Sequence, residues 1–247
     1  MPGPDGPAVI RSTLRQQIAD ALRDEILAGR LVPGQEFTVK EIADQYGVSA
    51  TPVREALVNL TAQGLLDSVQ HRGFRVHEHT LADYRGMLQA RGLIADAIFR
   101  EVATTAAHHS VPAAGFVSVR RRGEEAARAA AAGDLTVLIG YDLRFWRELS
   151  ALFGNAYLSD FLHRLRVQSW VCAVPHLRRE VERGGDLRGR LWSRHLDLVE
   201  ALTCRDAVLA HAIVAEYNTH SLELIESLAA ADRPEGARTP PAPQAPA

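Results

Sequence analysis

The chain has 247 residues and a formal net charge of −2, with 28 Lys and Arg against 30 Asp and Glu, and 47% of its residues are apolar. That balance excludes wholesale disorder and gives no overall electrostatic pull toward nucleic acid or an anionic membrane. Two cysteines, Cys172 and Cys204, without metal-ligand spacing, exclude a disulfide scaffold and a zinc finger.

The first residues lack a signal-peptide core and no apolar run is long enough to span a bilayer, so a cytoplasmic protein with no membrane partner is expected. Residues 1–8 and the Pro/Ala-rich 232–247 read as disordered ends. Between them, 9–78 reads as a mixed α/β unit and 80–231 as an all-helical one, giving a mainly α fold.

Leu14, Ile18, Leu22 and Ile26 recur at helical spacing, and Gly29 stands where a helix would end. After the Val32-Pro33-Gly34 turn and a short apolar step at Phe37, Thr38 and Glu41 form a capping box for a short second helix closed by Gly47. Ser49 can cap a third helix over 50–63, with Pro52 in its first turn and Val53, Ala56, Leu57 and Leu60 on one face. Residues 65–69 and 73–76 read as two strands around the tip Gln70-His71-Arg72-Gly73. Helix, helix, tight turn, helix and hairpin is the order of a winged helix-turn-helix.

In such a unit the third helix would enter a major groove. Arg54, in its first exposed turn, suits bidentate bonding to a guanine edge, Ser49 and Thr51 offer short hydroxyls, and Lys40 would sit over a phosphate. The tip His71-Arg72-Gly73 places a cation beside a glycine that allows close approach to a groove. Helix-turn-helix units also serve as packing modules, and residues 1–78 carry 8 basic against 10 acidic groups. A DNA reader with that count must gather its cations on one face.

Beyond Thr80, helices are expected near 81–108, 112–132, 134–151, 155–180, 187–203 and 205–230. Four apolar seams there each contain a polar group. Arg91 lies among Tyr84, Leu88, Ala95, Ile98 and Val102, and Asp142 among Leu138, Phe145 and Leu149. His195 lies among Leu191, Leu198, Val199 and Leu202, and Tyr217 between Ile213 and Leu224. Polar groups at core positions need partners or a ligand, so four of them point to a polar-lined cavity in the bundle. Separate satisfaction of each by a neighbour or water is the alternative.

The stretch 14–76 resembles the N-terminal domain of the GntR superfamily of bacterial repressors. The matching text is Leu22-Arg23-x-x-Ile26-x-x-Gly29-x-Leu31-x-Pro33-Gly34, then Val48-Ser49-Ala50-Thr51-Pro52-Val53-Arg54-Glu55-Ala56-Leu57, then Gly64-Leu65-Leu66 and Arg72-Gly73-Phe74-x-Val76. The resemblance implies double-stranded operator DNA as partner, with contacts from Lys40, Ser49, Thr51, Arg54 and the wing at His71, Arg72 and Gly73. Ala50 stands where many members carry an arginine, which leaves fewer base contacts.

The second half resembles the FadR-like branch with its helical FCD effector domain, through Asp142-x-x-Phe145, Gly154-Asn155-x-x-Leu158, and His195 followed by Val199, Ala201-Leu202 and Asp206. That resemblance implies a homodimeric repressor modulated by a small metabolite. Many members also hold one divalent metal through an aspartate, a histidine four residues later and two more histidines. Asp142 and His195 match two of those places, but Trp146 and Tyr217 occupy the others, and two protein ligands rarely hold a transition metal. No cofactor is therefore expected, the alternative being a metal on Asp142 and His195 completed by water or by His220.

Trp146 and Tyr217 would instead line a pocket in which Arg91 and His195 receive a small organic acid, with Asp142 able to neutralise Arg91 when the pocket is empty. An enzyme using Asp142 and His195 with a metal is the rival from another class. It lacks a third ligand, a nucleophile and a glycine-rich phosphate loop, so no enzymatic activity is expected.

Overall fold

The computed structural model describes residues 13–104 and 115–232. The chain divides into two compact units, one up to His79 and the other from Thr80.

The first unit opens with α1 (Leu14–Leu27), whose N-cap Thr13 accepts a hydrogen bond from the backbone of Gln16. Ile18, Leu22 and Ile26 are buried along its inner stripe, and the chain leaves through Gly29 at φ +67°. The strand β1 (Glu36–Phe37) leads into α2 (Val39–Tyr46), which starts at the expected capping box. The Thr38 hydroxyl accepts from Glu41 N–H at 3.1 Å, and the Glu41 carboxylate accepts from Thr38 N–H at 2.6 Å. Gly47, at φ +64°, turns the chain toward α3 (Ala50–Ala62). Val53, Ala56, Leu57 and Leu60 are wholly buried there, which leaves the opposite face of α3 to solvent.

The expected hairpin is present as β2 (Leu66–Val69) and β3 (Gly73–Val76). It is not alone: β1 adds to β3, giving a three-stranded antiparallel sheet of order β1-β3-β2 with Phe37 opposite Phe74 and Val69 opposite Gly73. Two residues give almost no alternation to read, which is why the sequence shows only an apolar step at Phe37.

The second unit is helical throughout its described residues: α4 (Leu81–Thr104), α5 (Phe116–Ala132), α6 (Leu135–Ala151), α7 (Ala156–Glu182), α8 (His195–Thr203) and α9 (Ala207–Ala231). Their starts follow local chemistry. Thr80 and Asp83 bond reciprocally at α4, and the side chains of Asp134, Asn155 and Asp206 cap α6, α7 and α9. Parts of the helices expected at 81–108 and 112–132, the 1–8 end and the tail from 233 onward lie outside the described residues.

Two boundaries are corrected. The helix expected from 187 begins only at His195, because Gly184 and Gly189 adopt left-handed conformations and 187–194 folds as turns. Leu187, Leu191 and Trp192 are buried all the same, so their spacing reflects burial rather than a helix. Asp232, assigned to the tail from sequence, is the C-cap residue of α9, and its carboxylate pairs with His176, Arg179 and Arg183.

The bundle pairs α4 with α9, α5 with α6 and α8, and α7 with α4, α6 and α9. Gly123 lets α5 approach closely, since a Cβ there would lie 3.1 Å from the Phe145 ring and 3.2 Å from His195 Cβ. The core is aromatic-rich, joining Phe99, Phe145, Trp146, Trp192 and Tyr217 with aliphatic residues of α8 and α9.

Candidate functional site

In the first unit, ion pairing separates the cations into two groups. Arg15, Arg23, Arg30 and Arg75 each face a carboxylate, respectively Glu55, Asp20, Glu25 and Asp67. Among the described residues of this unit, Lys40, Arg54 and Arg72 are the cations without such a partner, and all three are exposed. They stand in the first turn of α2, on the solvent face of α3 and in the β2–β3 turn. The near-neutral count over 1–78 therefore hides three unneutralised positive charges on these elements.

Ser49 occupies the N-cap position of α3 but makes no side-chain cap bond, contrary to the capping role expected of it. Its hydroxyl and that of Thr51 are exposed. His71 and Arg72 are exposed at the tip, where His71 takes φ +61°. Gly73 also meets a constraint inside the wing, beside the groove approach expected of it. At φ +116°, a Cβ on it would lie 2.5 Å from the Phe37 carbonyl oxygen, so it permits the close approach of β3 and β1 within the wing.

In the second unit the four expected polar positions are all buried: Arg91, Asp142, His195 and Tyr217 are at most 7% exposed. They converge on Asp142. Its Oδ1 accepts from Trp146 Nε1 at 3.0 Å and lies 3.0 Å from His195 Nε2. Its Oδ2 accepts from Trp170 Nε1 at 2.8 Å and from the Tyr217 hydroxyl at 3.4 Å. A carboxylate offers about four lone-pair sites, and four donors from α6, α7, α8 and α9 fill them.

Burial by itself would raise the Asp142 carboxyl. The hydrogen bond and charge of His195, the charge of Arg166 and the Trp170 bond outweigh it and hold Asp142 below the usual carboxylate range. Tyr217 is pushed up by burial and by the Asp142 charge, so it remains a neutral donor.

Arg166, Trp170 and Trp192 escape the sequence reading. Arg166 is 6% exposed, and its guanidinium lies 3.5 Å from the centre of the Trp146 ring. Burial and the neighbouring Arg91 charge lower it to about 9, which still leaves it cationic at neutral pH. A signal for it exists: Leu162, Arg166, Ser169, Ala173 and Leu177 form a seam of the same kind as the other four. Asp142 thus answers His195 first and Arg166 after it, whereas Arg91 is the counter-charge expected from sequence.

Two cavities flank this centre, and Arg91 and Arg166 line both. The first, about 540 Å³ including its open mouth, reaches Asp142, Trp170, Trp192, Tyr217 and His220. The second, about 600 Å³ on the same measure, reaches Trp146 and Asn218 through mostly apolar walls. His195 lines neither. Its ring is wholly buried between Phe145 and Trp192, and its Nε2 faces Asp142, so it supports the carboxylate instead of reaching into either cavity.

A metal does not fit these residues. The lone pairs of Asp142 face hydrogen-bond donors, the indole of Trp146 stands where a ligand would be needed, and His220 Nε2 lies 2.7 Å from the Arg190 carbonyl, a donor's place. Among the described residues no three His, Cys, Asp or Glu side chains are grouped to hold an ion.

A winged helix-turn-helix followed by an all-helical domain is the build of a DNA-binding regulatory protein. Residues 14–76 match the bacterial regulatory proteins of the gntR family, and residues 86–220 match the FCD domain. The chain belongs to the gntR family of bacterial regulatory proteins, in its FCD-domain branch.

It is 33% identical over 148 residues to the "Probable D-xylose utilization operon transcriptional repressor" of Paenarthrobacter nicotinovorans, covering 60% of this chain and 63% of that one. It is also 33% identical over 91 residues to the HTH-type transcriptional repressor RspR of Escherichia coli, covering 37% of this chain and 40% of the relative. The matches thus span less than two thirds of either relative's length.

E. coli McbR/YncC superposes with a TM-score of 0.68 at 22% identity, covering 87% of this chain and 98% of that structure. A GntR regulator structure from Rhodococcus sp. RHA1 gives 0.68 at 20% identity, covering 87% and 99%. Both establish the shared fold. No described helix is long and apolar enough to cross a membrane.

Proposed function

We propose that this regulator represses transcription as a homodimer on a palindromic operator, and that a small organic acid held in the helical unit controls it without a metal. Lys40, Arg54 and Arg72 supply the positive charge at the DNA, and their freedom from carboxylates is the observation that carries this reading. Ser49, Thr51 and His71 donate to phosphates or base edges beside them, and Gly73 holds the wing in shape. Dimerisation follows from readout, since one short helix contacts too few bases to be specific alone.

For the effector, Arg91 and Arg166 are two buried cations lining one cavity with Asp142, the one buried carboxylate among the described residues, which leaves the centre short of negative charge. The relative named for D-xylose utilization raises the reading of a neutral sugar. A neutral ligand would leave that excess charge uncompensated, so the acid is favoured. The acid acts by favouring one of two arrangements of the dimer, in only one of which both recognition helices meet their half-sites.

Arg54→Ala tests the DNA role. On a fragment selected by the parent chain from random DNA, it should lose about 1–3 kcal/mol per half-site and relax base selectivity at one position. Lys40→Ala should weaken all sequences alike and reduce the salt slope by about 0.9 for each phosphate that is no longer neutralised. Arg54→Ala binding with parent affinity and selectivity would remove α3 from the groove.

A further inference from the structure

The two cavities of the helical unit differ in electrostatics, although they share the same two arginines. The first contains the Asp142 carboxylate. The second has no acidic residue among its described lining, which combines Arg91 and Arg166 with His163, Asn218 and a predominantly apolar wall. An anion entering the first cavity would meet the arginines beside a fixed negative charge, whereas one entering the second would meet them without it. Both guanidiniums also bond the Tyr217 side chain, but among the described residues Arg91 Nε and Nη2 and Arg166 Nη1 have no hydrogen-bond partner, and both residues are more than nine-tenths buried. Donors of this kind, inside a bundle and beside a cavity, are complementary to a carboxylate.

The remainder of the second cavity describes the rest of the molecule. Phe99, Phe153, Leu149, Leu162 and Val214 form a hydrocarbon surface that offers nothing to a second charge or to a polyol. Ser150 and His163 also line it, the Ser150 hydroxyl being engaged by the Arg147 carbonyl and Ser159, and the buried Asn218 Oδ1, an acceptor without a partner among the described residues, is able to take a single hydroxyl from a ligand.

We infer that the effector is a monocarboxylate with an aryl or branched-alkyl body, bound in the second cavity with its carboxylate on Arg91 and Arg166 and its apolar part away from Asp142. This rests on the acidic-effector reading above and narrows it. Sugar acids and polycarboxylates are excluded as high-affinity ligands, because their further charges or hydroxyls would be stripped of water against Phe99, Phe153 and Leu149.

The test is calorimetric titration and thermal shift of the full chain with a panel of aryl and branched-alkyl monocarboxylates, beginning with phenylacetate and isovalerate. Phenylacetamide serves as the neutral isostere, and citrate and gluconate as the polar acids. Members of the monocarboxylate panel should bind and raise the melting temperature by mass action. The amide should bind roughly tenfold or more weakly, because the charge-assisted bonds are absent. Ala95→Leu, which fills only the second cavity, should abolish the shift, and Ser221→Leu, which fills only the first, should leave it. The melting of each variant without ligand checks its fold, and the panel on the parent chain stands independently of both.

Citrate or gluconate binding more tightly than every monocarboxylate would overturn the inference. So would binding that survives Ala95→Leu and disappears in Ser221→Leu, and either result would leave the acidic-effector reading intact. If no acid of either kind binds, that reading falls and this one with it.

Discussion

Replacing Asp142 by asparagine changes the charge of one buried group while nearly keeping its volume. In the parent chain the carboxylate accepts from Trp146, Trp170 and Tyr217 and faces His195 Nε2, with Arg166 contributing to its charge balance. The amide keeps one acceptor oxygen but turns an NH2 toward donors that had faced the other, and it leaves the arginines without a counter-charge. A buried donor left unpaired costs about 1–3 kcal/mol, and breaking a buried ion pair about 3–5 kcal/mol. These terms overlap, so Asp142→Asn should destabilise the helical unit by about 3–5 kcal/mol, or roughly 6–20 °C in melting temperature for a unit of this size.

The three tryptophans of the chain are Trp146, Trp170 and Trp192, all within the helical unit, so tryptophan fluorescence follows its unfolding separately from the winged helix. The effect should also depend on pH. Because the native surroundings hold Asp142 below the usual range, its stabilisation is fully present above the unfolded carboxylate value of about 3.9 and is lost as pH falls through the lower native value. The difference between parent and variant should therefore be constant near neutrality and close under strong acid. A variant within about 1 kcal/mol of the parent at neutral pH, roughly 2–4 °C, would refute this charge balance.

Gly73→Ala should destabilise the winged helix by roughly 1–3 kcal/mol, since its Cβ meets the Phe37 carbonyl at 2.5 Å and its φ is +116°; hydrogen exchange of the β1–β3 amides should report the loss first. Purified protein should contain well under one equivalent of zinc, nickel or manganese by elemental analysis, with a melting temperature unchanged by chelation. One tightly held ion per chain would show that the donors around Asp142 rearrange to admit it.

Much of the winged helix can be read from sequence because its determinants are local. The Thr38–Glu41 box, the left-handed turns at Gly29 and Gly47, and the stripe of Val53, Ala56, Leu57 and Leu60 each act within a few residues of where they stand. Arg54 is legible for the same reason, as an exposed position opposite a buried stripe. In the helical unit the seams show that Arg91, Asp142, His195 and Tyr217 are to be buried, since helical period alone determines which residues share a face.

Only the tertiary structure decided what each buried group does. The partners of Asp142 lie 4, 28, 53 and 75 residues away in sequence, and no local pattern tells which helices bring their donors to one carboxylate. For that reason the sequence suggests His195 as a handle for the ligand, whereas it supports Asp142, and the seam that marks Arg166 for burial does not tell that its charge acts on Asp142. Gly73 follows the same rule, its missing side chain being required by a two-residue strand more than thirty positions earlier. Composition and period specify which side chains leave water, but pairing among those side chains is set by how the helices and strands pack, and the chemistry of the centre resides in that pairing.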